Sequence, residues 1–314
     1  MITWPGNKKF AFSIVDDTDC STLANAPIVY DYLNQCGLKT TKSVWIFDGE
    51  TREDNKRIIG TTCQDKQYLD WVLKLKGQGF EIALHSSSWS RSERDRVINA
   101  LDVFKSYFGK DPTMLVQHPD TKHNESMYWG ANRVGGVNKL IYKAIMSFKG
   151  RQKNIYHGES SNSPFFWGDV CKDRIKYVRN FVCSDVNTLK VCPIMPYHDP
   201  QRPYVNLWFA SSEGPNVNSF NACISEQNQR RLENEGGACI VYTHFGTDFV
   251  LNGKLNADFK ELIAKLSEKD GWFVPASELL DYLLEKNGDR IISNSKRSRL
   301  ERMWLWHKLR IGTS

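Results

Sequence analysis

Three carboxylates follow a short apolar segment near the amino terminus. The segment runs from Phe10 to Val15, and Asp16, Asp17 and Asp19 come directly after it. An apolar run of this length, rich in aromatic and branched residues, is typical of a buried strand. In barrels and open α/β sheets, the carboxyl ends of the strands carry the ligands and the chemistry. Carboxylates there can bind a metal ion or transfer protons, whereas an aspartate in such a turn can equally cap the next helix.

Histidines follow three further apolar segments in the same way. They are His85 after residues 80–84, His118 after residues 113–117, and His244 after residues 238–242. Imidazole and carboxylate together suit zinc and related divalent metals, and three protein ligands leave a position for water. A single histidine after a strand is more often structural than catalytic. The repetition at several strand ends predicts a hydrolytic metal site.

The elements that would position these residues alternate between strand and helix over about 275 residues. Amphipathic patterns with glycine stops predict helices in the intervals between the strands. The region 151–221 is less regular and contains six prolines, which favour ordered loops and short strands around a pocket. The pattern predicts an α/β fold, a (β/α) barrel that is complete or slightly open. Residues 1–285 would form this barrel, and residues 286–314 a separate basic tail.

Composition narrows the function classes. The net charge of the 314 residues is +6, but residues 286–314 carry eight Lys/Arg against two acidic residues, so the body is balanced. A basic nucleic-acid surface on the body is therefore not expected. No apolar run is long enough to span a bilayer and the first residues lack the features of a secretory signal, so a cytoplasmic location is expected. The eight cysteines contain no CxxC pair and are expected to be reduced.

Two of these segments resemble motifs of the polysaccharide deacetylases, the carbohydrate esterases that act on chitooligosaccharides and peptidoglycan. Residues 12–17 are similar to the first motif, an apolar strand followed by Thr-Phe-Asp-Asp-Gly. Residues 79–86 are similar to the second, in which a histidine follows a strand. The resemblance implies that Asp16 is the general base and that Asp17 and His85 bind the metal.

A third segment, residues 238–244, resembles the last motif of the family, and by that resemblance His244 is the general acid. Two positions depart from the pattern. Trp89 stands where the family has a second histidine, and Gln117 replaces the arginine that braces the base. We expect His118, from the adjacent strand, to supply the missing metal ligand. Asp19 has no counterpart in the motif, so a helix-capping or supporting role is expected for it.

The resemblance implies a seven-stranded, distorted or incomplete barrel that holds a divalent metal ion, with zinc the expected ion. The implied activity is removal of an N-acetyl or related acyl group from an amino sugar or a polysaccharide precursor. A catalytically inactive carbohydrate-binding protein on the same barrel is the alternative, because Trp89 and Gln117 depart from the motifs. The residues expected to contact the sugar or to orient His244 are Trp89, Trp167, Asp169, Arg179, His198, Asp199 and Trp208.

The basic tail alternates bulky apolar and cationic side chains. Leu300, Met303, Trp304, His307 and Ile311 fall on one side of a predicted helix. Such a segment suits the anionic cytoplasmic face of a membrane, where it would bring the enzyme to a lipid-linked sugar. It could equally pack on the barrel or on a second subunit.

Overall fold

The protein is described by a computed structural model of residues 2–49, 60–117, 125–148 and 156–311. Seven parallel strands form a closed barrel, because the first strand also pairs with the seventh. They are Phe10–Asp16 (β1), Thr41–Val44 (β2), Glu81–Leu84 (β3), Met114–Leu115 (β4), Tyr177–Cys183 (β5), Leu207–Glu213 (β6) and Ala238–Thr243 (β7). The predicted α/β barrel is therefore confirmed.

Three short strands complete the sheet structure. Val250–Leu251 (β8) and Lys254–Leu255 (β9) form an antiparallel hairpin, and Gly271–Phe273 (β10) pairs with the first three residues of β1.

Helices cover the outside of the barrel. They are Ala26–Gln35 (α1), Lys66–Gly77 (α2), Arg94–Phe108 (α3), Gly136–Phe148 (α4), Gly168–Arg174 (α5), Thr188–Val191 (α6), Val217–Cys223 (α7), Glu226–Glu235 (α8), Ala257–Ser267 (α9), Ala276–Asn287 (α10) and Asn294–Ile311 (α11). Among the described residues, none of these helices is long and apolar enough to cross a membrane.

The irregular region of the sequence contains two of the longest strands. β5 and β6 have seven residues each and pair with one another in parallel. The expectation of loops and short strands there was wrong in this respect. Polar residues inside the apolar runs, such as Arg179 and Asn180, obscured the strand pattern, yet both side chains are buried.

The alternation of side chains along β1 places its two adjacent aspartates on opposite sides of the sheet. Asp16 is in register with Lys42 on β2 and accepts a hydrogen bond from Tyr30 on α1, so it lies between the sheet and the helices. Asp17 bonds to Arg179 on β5, a strand that is not a neighbour of β1. Its side chain therefore points across the inside of the barrel.

The helix α11 packs on the barrel. Trp304 lies against Phe181 of β5 and stacks on Tyr142 of α4, with ring centroids 6.0 and 5.8 Å away. A buried ion pair joins Arg297 of α11 to Asp199 in the connection before β6. The sequence left a membrane surface, the barrel and a second subunit open as partners of the basic tail. The structure shows that one side of its helix packs on the barrel.

Candidate metal centre at the carboxyl edge of the barrel

Two carboxylates and one imidazole converge where β1 and β3 end. One potential ligand atom from each of Asp17, Asp19 and His85 lies within 4.8 Å of the others. The imidazole Nε2 of His85 is 3.3 Å from Oδ2 of Asp19. All three side chains are buried. Among the described residues, this is the one group of three or more such side chains arranged to hold a metal ion.

The backbone fixes these residues as continuations of the strands. The N–H of Asp17 donates to the carbonyl of Thr243 at 2.8 Å, and that of His85 to the carbonyl of Val44 at 2.9 Å. The following residues, Cys20 after Asp19 and Ser86 after His85, have φ angles of 58° and 59°. Non-glycine residues in this left-handed region are strained, and such strain is concentrated at functional sites.

Arg179 holds the carboxylate of Asp17. Its two terminal nitrogens donate to the two oxygens of Asp17 at 2.8 and 2.6 Å. Such a two-pronged, charge-assisted pair fixes orientation as well as position. The guanidinium also lies over the ring of Tyr242, 4.5 Å from its centroid. Arg179 thus offsets one of the two negative charges in the cluster.

His244 faces the cluster from the end of β7. Its Nδ1 is 2.7 Å from the carbonyl oxygen of Pro215. Because a carbonyl can only accept, Nδ1 carries a proton, and the neutral ring then has its lone pair on Nε2. Nε2 lies 3.5 Å from Oδ2 of Asp19 and 3.9 Å from Oδ2 of Asp17. The side chain is 22% exposed, so this side of the cluster opens to solvent.

Two tryptophans pack in sequence on one side of His85. Trp45 packs edge-on against it at 5.5 Å between centroids, and Trp89 packs on Trp45 at 5.9 Å. Trp89, which stands where the deacetylase motif has its second histidine, therefore belongs to an aromatic wall behind His85. His118, the predicted replacement ligand, lies outside the described residues.

Asp16 lies outside this cluster. Its Oδ1 accepts from the N–H of Phe245 at 2.8 Å, and its Oδ2 accepts from Tyr30 at 3.0 Å and pairs with Lys42 at 2.9 Å. Burial raises the pKa of Asp16, an effect that the charge of Lys42 opposes. Both members of the pair are fully buried. A general base must be reached by the water that it activates, so this geometry does not fit the role expected for Asp16.

Asp19 lies in this cluster, whereas a helix-capping or supporting role was expected for it. The capping role suggested for it is filled by Asn25, whose side chain accepts from the N–H of Ala26 at the start of α1. The signal in the sequence was its spacing, since Asp17 and Asp19 are two residues apart in one strand-end loop.

The other residues expected to contact the sugar are spread out. Trp167 is buried and its indole donates to the carbonyl of Glu125 at 2.7 Å. Asp169 forms a bidentate pair with Arg94, at the start of α3. His198 follows Tyr197, which pairs with Trp208 near the amino end of β6. That end of β6 is opposite to the metal centre, so the structure does not bring His198 to the site.

The donor set fits a divalent metal ion. Carboxylate and imidazole are ligands of zinc and its first-row neighbours, and the cluster supplies both within the reach of one ion. With Arg179 paired to Asp17, the set keeps one uncompensated negative charge for the cation.

Comparison with known proteins shows the fold. No family model and no curated protein matches the chain in sequence. The solved structure of a probable polysaccharide deacetylase from Pseudomonas aeruginosa PAO1 is similar over 91% of this chain and 94% of that one, with a TM-score of 0.50 and 10% identity.

Two further solved structures are similar over most of the chain. Puue allantoinase is similar over 90% of this chain and 93% of that one, with a TM-score of 0.49 and 10% identity. The peptidoglycan deacetylase PdaC from Bacillus subtilis covers 95% and 97%, with a TM-score of 0.39 and 12% identity. The fold implied by the resemblance to the deacetylases is thus confirmed by the Pseudomonas structure.

Proposed function

We propose that the protein is a metal-dependent hydrolase that removes an N-acetyl or related acyl group from an amino sugar or a polysaccharide precursor. The observation that carries this proposal is the buried group of Asp17, Asp19 and His85 beside the solvent-facing His244. The resemblance of the strand-end motifs to those of the deacetylases supports the choice of an acylated sugar as substrate.

Asp17, Asp19 and His85 would hold the ion, most simply Zn²⁺. When bound, such an ion lowers the pKa of a water molecule and polarises the carbonyl of the acyl group. Arg179 fixes Asp17 and limits the negative charge that the two carboxylates bring together. Trp45 packs edge-on against His85 and limits the movement of its ring.

His244 would transfer the proton. In the neutral ring, the lone pair on Nε2 accepts a proton from the attacking water, and the same nitrogen then donates it to the departing amine. Asp19 and Asp17, 3.5 and 3.9 Å from Nε2, stabilise the charged ring between the two steps. His244 thus keeps the acid role implied by the resemblance and takes over the base role from Asp16. A positioned group of this kind typically contributes about 10²- to 10⁴-fold in rate.

The test compares Asp19→Asn with Asp102→Asn in the full chain. Asp102 is an exposed carboxylate that pairs with Arg174 outside the cluster, and it provides a matched control. After chelation, divalent ions are added back, and metal affinity and acetate release from N-acetylated oligosaccharides are measured. Asp19→Asn should lose at least about 10²-fold in metal affinity, since removing even a supporting partner of a ligand can cost that much. Asp102→Asn should match the wild type.

Two results would contradict the proposal. Equal metal affinity in Asp19→Asn and the wild type would contradict the assignment of the metal centre to these residues. A wild-type protein that binds oligosaccharide but no divalent metal would instead favour the carbohydrate-binding protein on the same barrel.

A further inference from the structure

The helix α4 has an apolar face that points into solvent. It buries Asn138 and Tyr142, while four apolar side chains on its other side are exposed. The exposed side chains are Val137 (72%), Leu140 (67%), Ile141 (42%) and Phe148 (95%). Their spacing of three, four and eleven residues from Val137 places them along one side of the helix. Monomeric soluble proteins rarely expose large contiguous apolar patches, so this face points to a binding surface.

The neighbouring helix α11 contributes cationic and aromatic side chains. Asn138 donates to Oε2 of Glu301 at 2.7 Å, and Tyr142 stacks on Trp304, so the two helices are firmly joined. On the outside of α11, Arg299, Arg302 and Arg310 are exposed together with three large apolar side chains. These are Met303 (38%), Trp306 (57%) and Leu309 (43%).

We infer that the exposed faces of α4 and α11 together form a docking surface for an anionic lipid membrane. An apolar helix face with flanking Lys/Arg and tryptophan is the pattern of helices that lie in the membrane interface. The structure assigns the parts differently from the sequence. Leu300, Trp304 and Leu305 of α11 are buried, so α4 provides most of the inserting apolar face. The helix α11 adds the arginines and its three exposed apolar side chains.

Charge complementarity favours a lipid surface over a second copy of the chain. In a twofold dimer through this surface, the same patch meets itself. Such an interface would bring together Arg299, Arg302 and Arg310 of both copies, and like charges repel. Anionic headgroups instead attract each of these side chains.

The helix α4 lies in the connection between β4 and β5, and His307 of α11 contacts Glu213 at the carboxyl end of β6. The metal centre lies at the same edge, where β1 and β3 end. Docking would therefore present this edge toward lipid-linked substrates, a consequence that rests on the proposed function. Docking itself does not depend on hydrolysis, and it is measured without substrate.

The test is sedimentation of the full chain with vesicles of phosphatidylcholine alone or mixed with phosphatidylglycerol. The wild type should sediment with the anionic vesicles, and high salt should weaken this binding. Leu140→Gln combined with Phe148→Gln should lower the partition coefficient by about tenfold or more, because two large apolar groups lose their burial. Arg299→Gln and Arg302→Gln should each lower it by about fivefold.

Matched controls lie elsewhere on the surface. Leu251→Gln changes an exposed leucine in the β8–β9 hairpin, and Lys74→Gln with Lys76→Gln removes two charges from α2. These variants should sediment like the wild type, and circular dichroism should show unchanged helix content in all of them.

Three results would overturn the inference. They are failure of the wild type to bind anionic vesicles, equal binding by the Leu140→Gln/Phe148→Gln variant, and a concentration-dependent dimer that this variant abolishes. The last would show that a second copy covers the surface. If the Leu140→Gln/Phe148→Gln variant lost vesicle binding but still released acetate, the result would support docking and leave the proposed function standing.

Discussion

The two faces of β1 carry adjacent aspartates with opposite surroundings. On the outer face, Asp16, Lys42 and Tyr30 form a closed arrangement in which both carboxylate oxygens are occupied and no solvent enters. On the inner face, Asp17 shares a cluster with Asp19 and His85 that opens to solvent at His244. Both faces bury charge, but only the inner one borders a partly exposed side chain, that of His244. We therefore expect inner substitutions to affect chemistry and outer ones to affect stability.

The largest expected effect follows from His244→Gln on the inner face. Glutamine keeps a polar side chain but cannot carry the proton, so kcat for acyl release should fall by about 10²- to 10⁴-fold. Metal affinity, measured by titration calorimetry, should remain close to that of the wild type. A parallel loss of metal affinity and activity would show instead that His244 is a metal ligand.

The outer face is tested by Lys42→Met. This change leaves the buried carboxylate of Asp16 without its cation, and breaking such a pair typically costs about 3–5 kcal/mol. The double variant Asp16→Asn/Lys42→Met should regain most of the lost free energy of unfolding, because it removes both charges. Urea unfolding measures these values, and metal affinity of the folded double variant should be unchanged. If the double variant folded normally but lost metal, the two faces would not be independent.

The sequence could identify the strand ends but not the face on which each aspartate lies. Phe10 to Val15 is buried on both sides, as is usual for parallel strands, so no polar alternation marks the inner face. The choice between Asp16 and Asp17 depends on which partners the closed barrel brings to them. Lys42 and Arg179 are those partners, and Arg179 is 162 residues away from Asp17 in the chain.

The positions of His85 and His244 were accessible because each directly follows an apolar strand. The motif resemblance then suggested their roles. It assigned roles by position along the chain, whereas the surroundings of Asp16 and Asp19 depend on side-chain direction.

A second closed cluster, around Asp199, anchors α11 and predicts a pH dependence. Burial would raise the pKa of Asp199, but hydrogen bonds and charge from Arg297 and Arg202 outweigh it and lower the pKa below its usual range. A carboxyl with a depressed pKa stabilises the fold above its unfolded pKa of about 3.9, and this contribution is lost as the pH falls further. Asp199→Asn should therefore cost about 3 kcal/mol near neutral pH, because Arg297 loses its buried carboxylate partner and Arg202 keeps only Glu301.

The difference in free energy of unfolding between Asp199→Asn and the wild type should narrow below about pH 4. Urea unfolding at a series of pH values measures it. Asp102→Asn, which changes an exposed carboxylate, serves as the control. A difference that is constant with pH would mean that the charge of Asp199 does not stabilise this anchor.

The smallest expected effect concerns Gly246, which packs against the backbone of the loop that carries Asp19 on the inner face. A Cβ atom there would lie 2.5 Å from the carbonyl oxygen of Asp19 and would also meet the backbone of Cys20. Backbone cannot yield as a flexible side chain does, so Gly246→Ala should displace the loop that carries Asp19. Overpacking of this kind typically costs about 1–3 kcal/mol. Because Asp19 is a proposed ligand, metal affinity should fall as well.

Gly77→Ala is the matched control, because a Cβ atom at Gly77 meets nothing within 4 Å and the residue lies in α2. Alanine is the better helix former, so this variant should be neutral or slightly more stable. If Gly246→Ala lost stability but kept wild-type metal affinity, the position of Asp19 would not limit metal binding. Solvent access at His244, and not the position of Asp19, would then distinguish the inner face of β1 from the outer one.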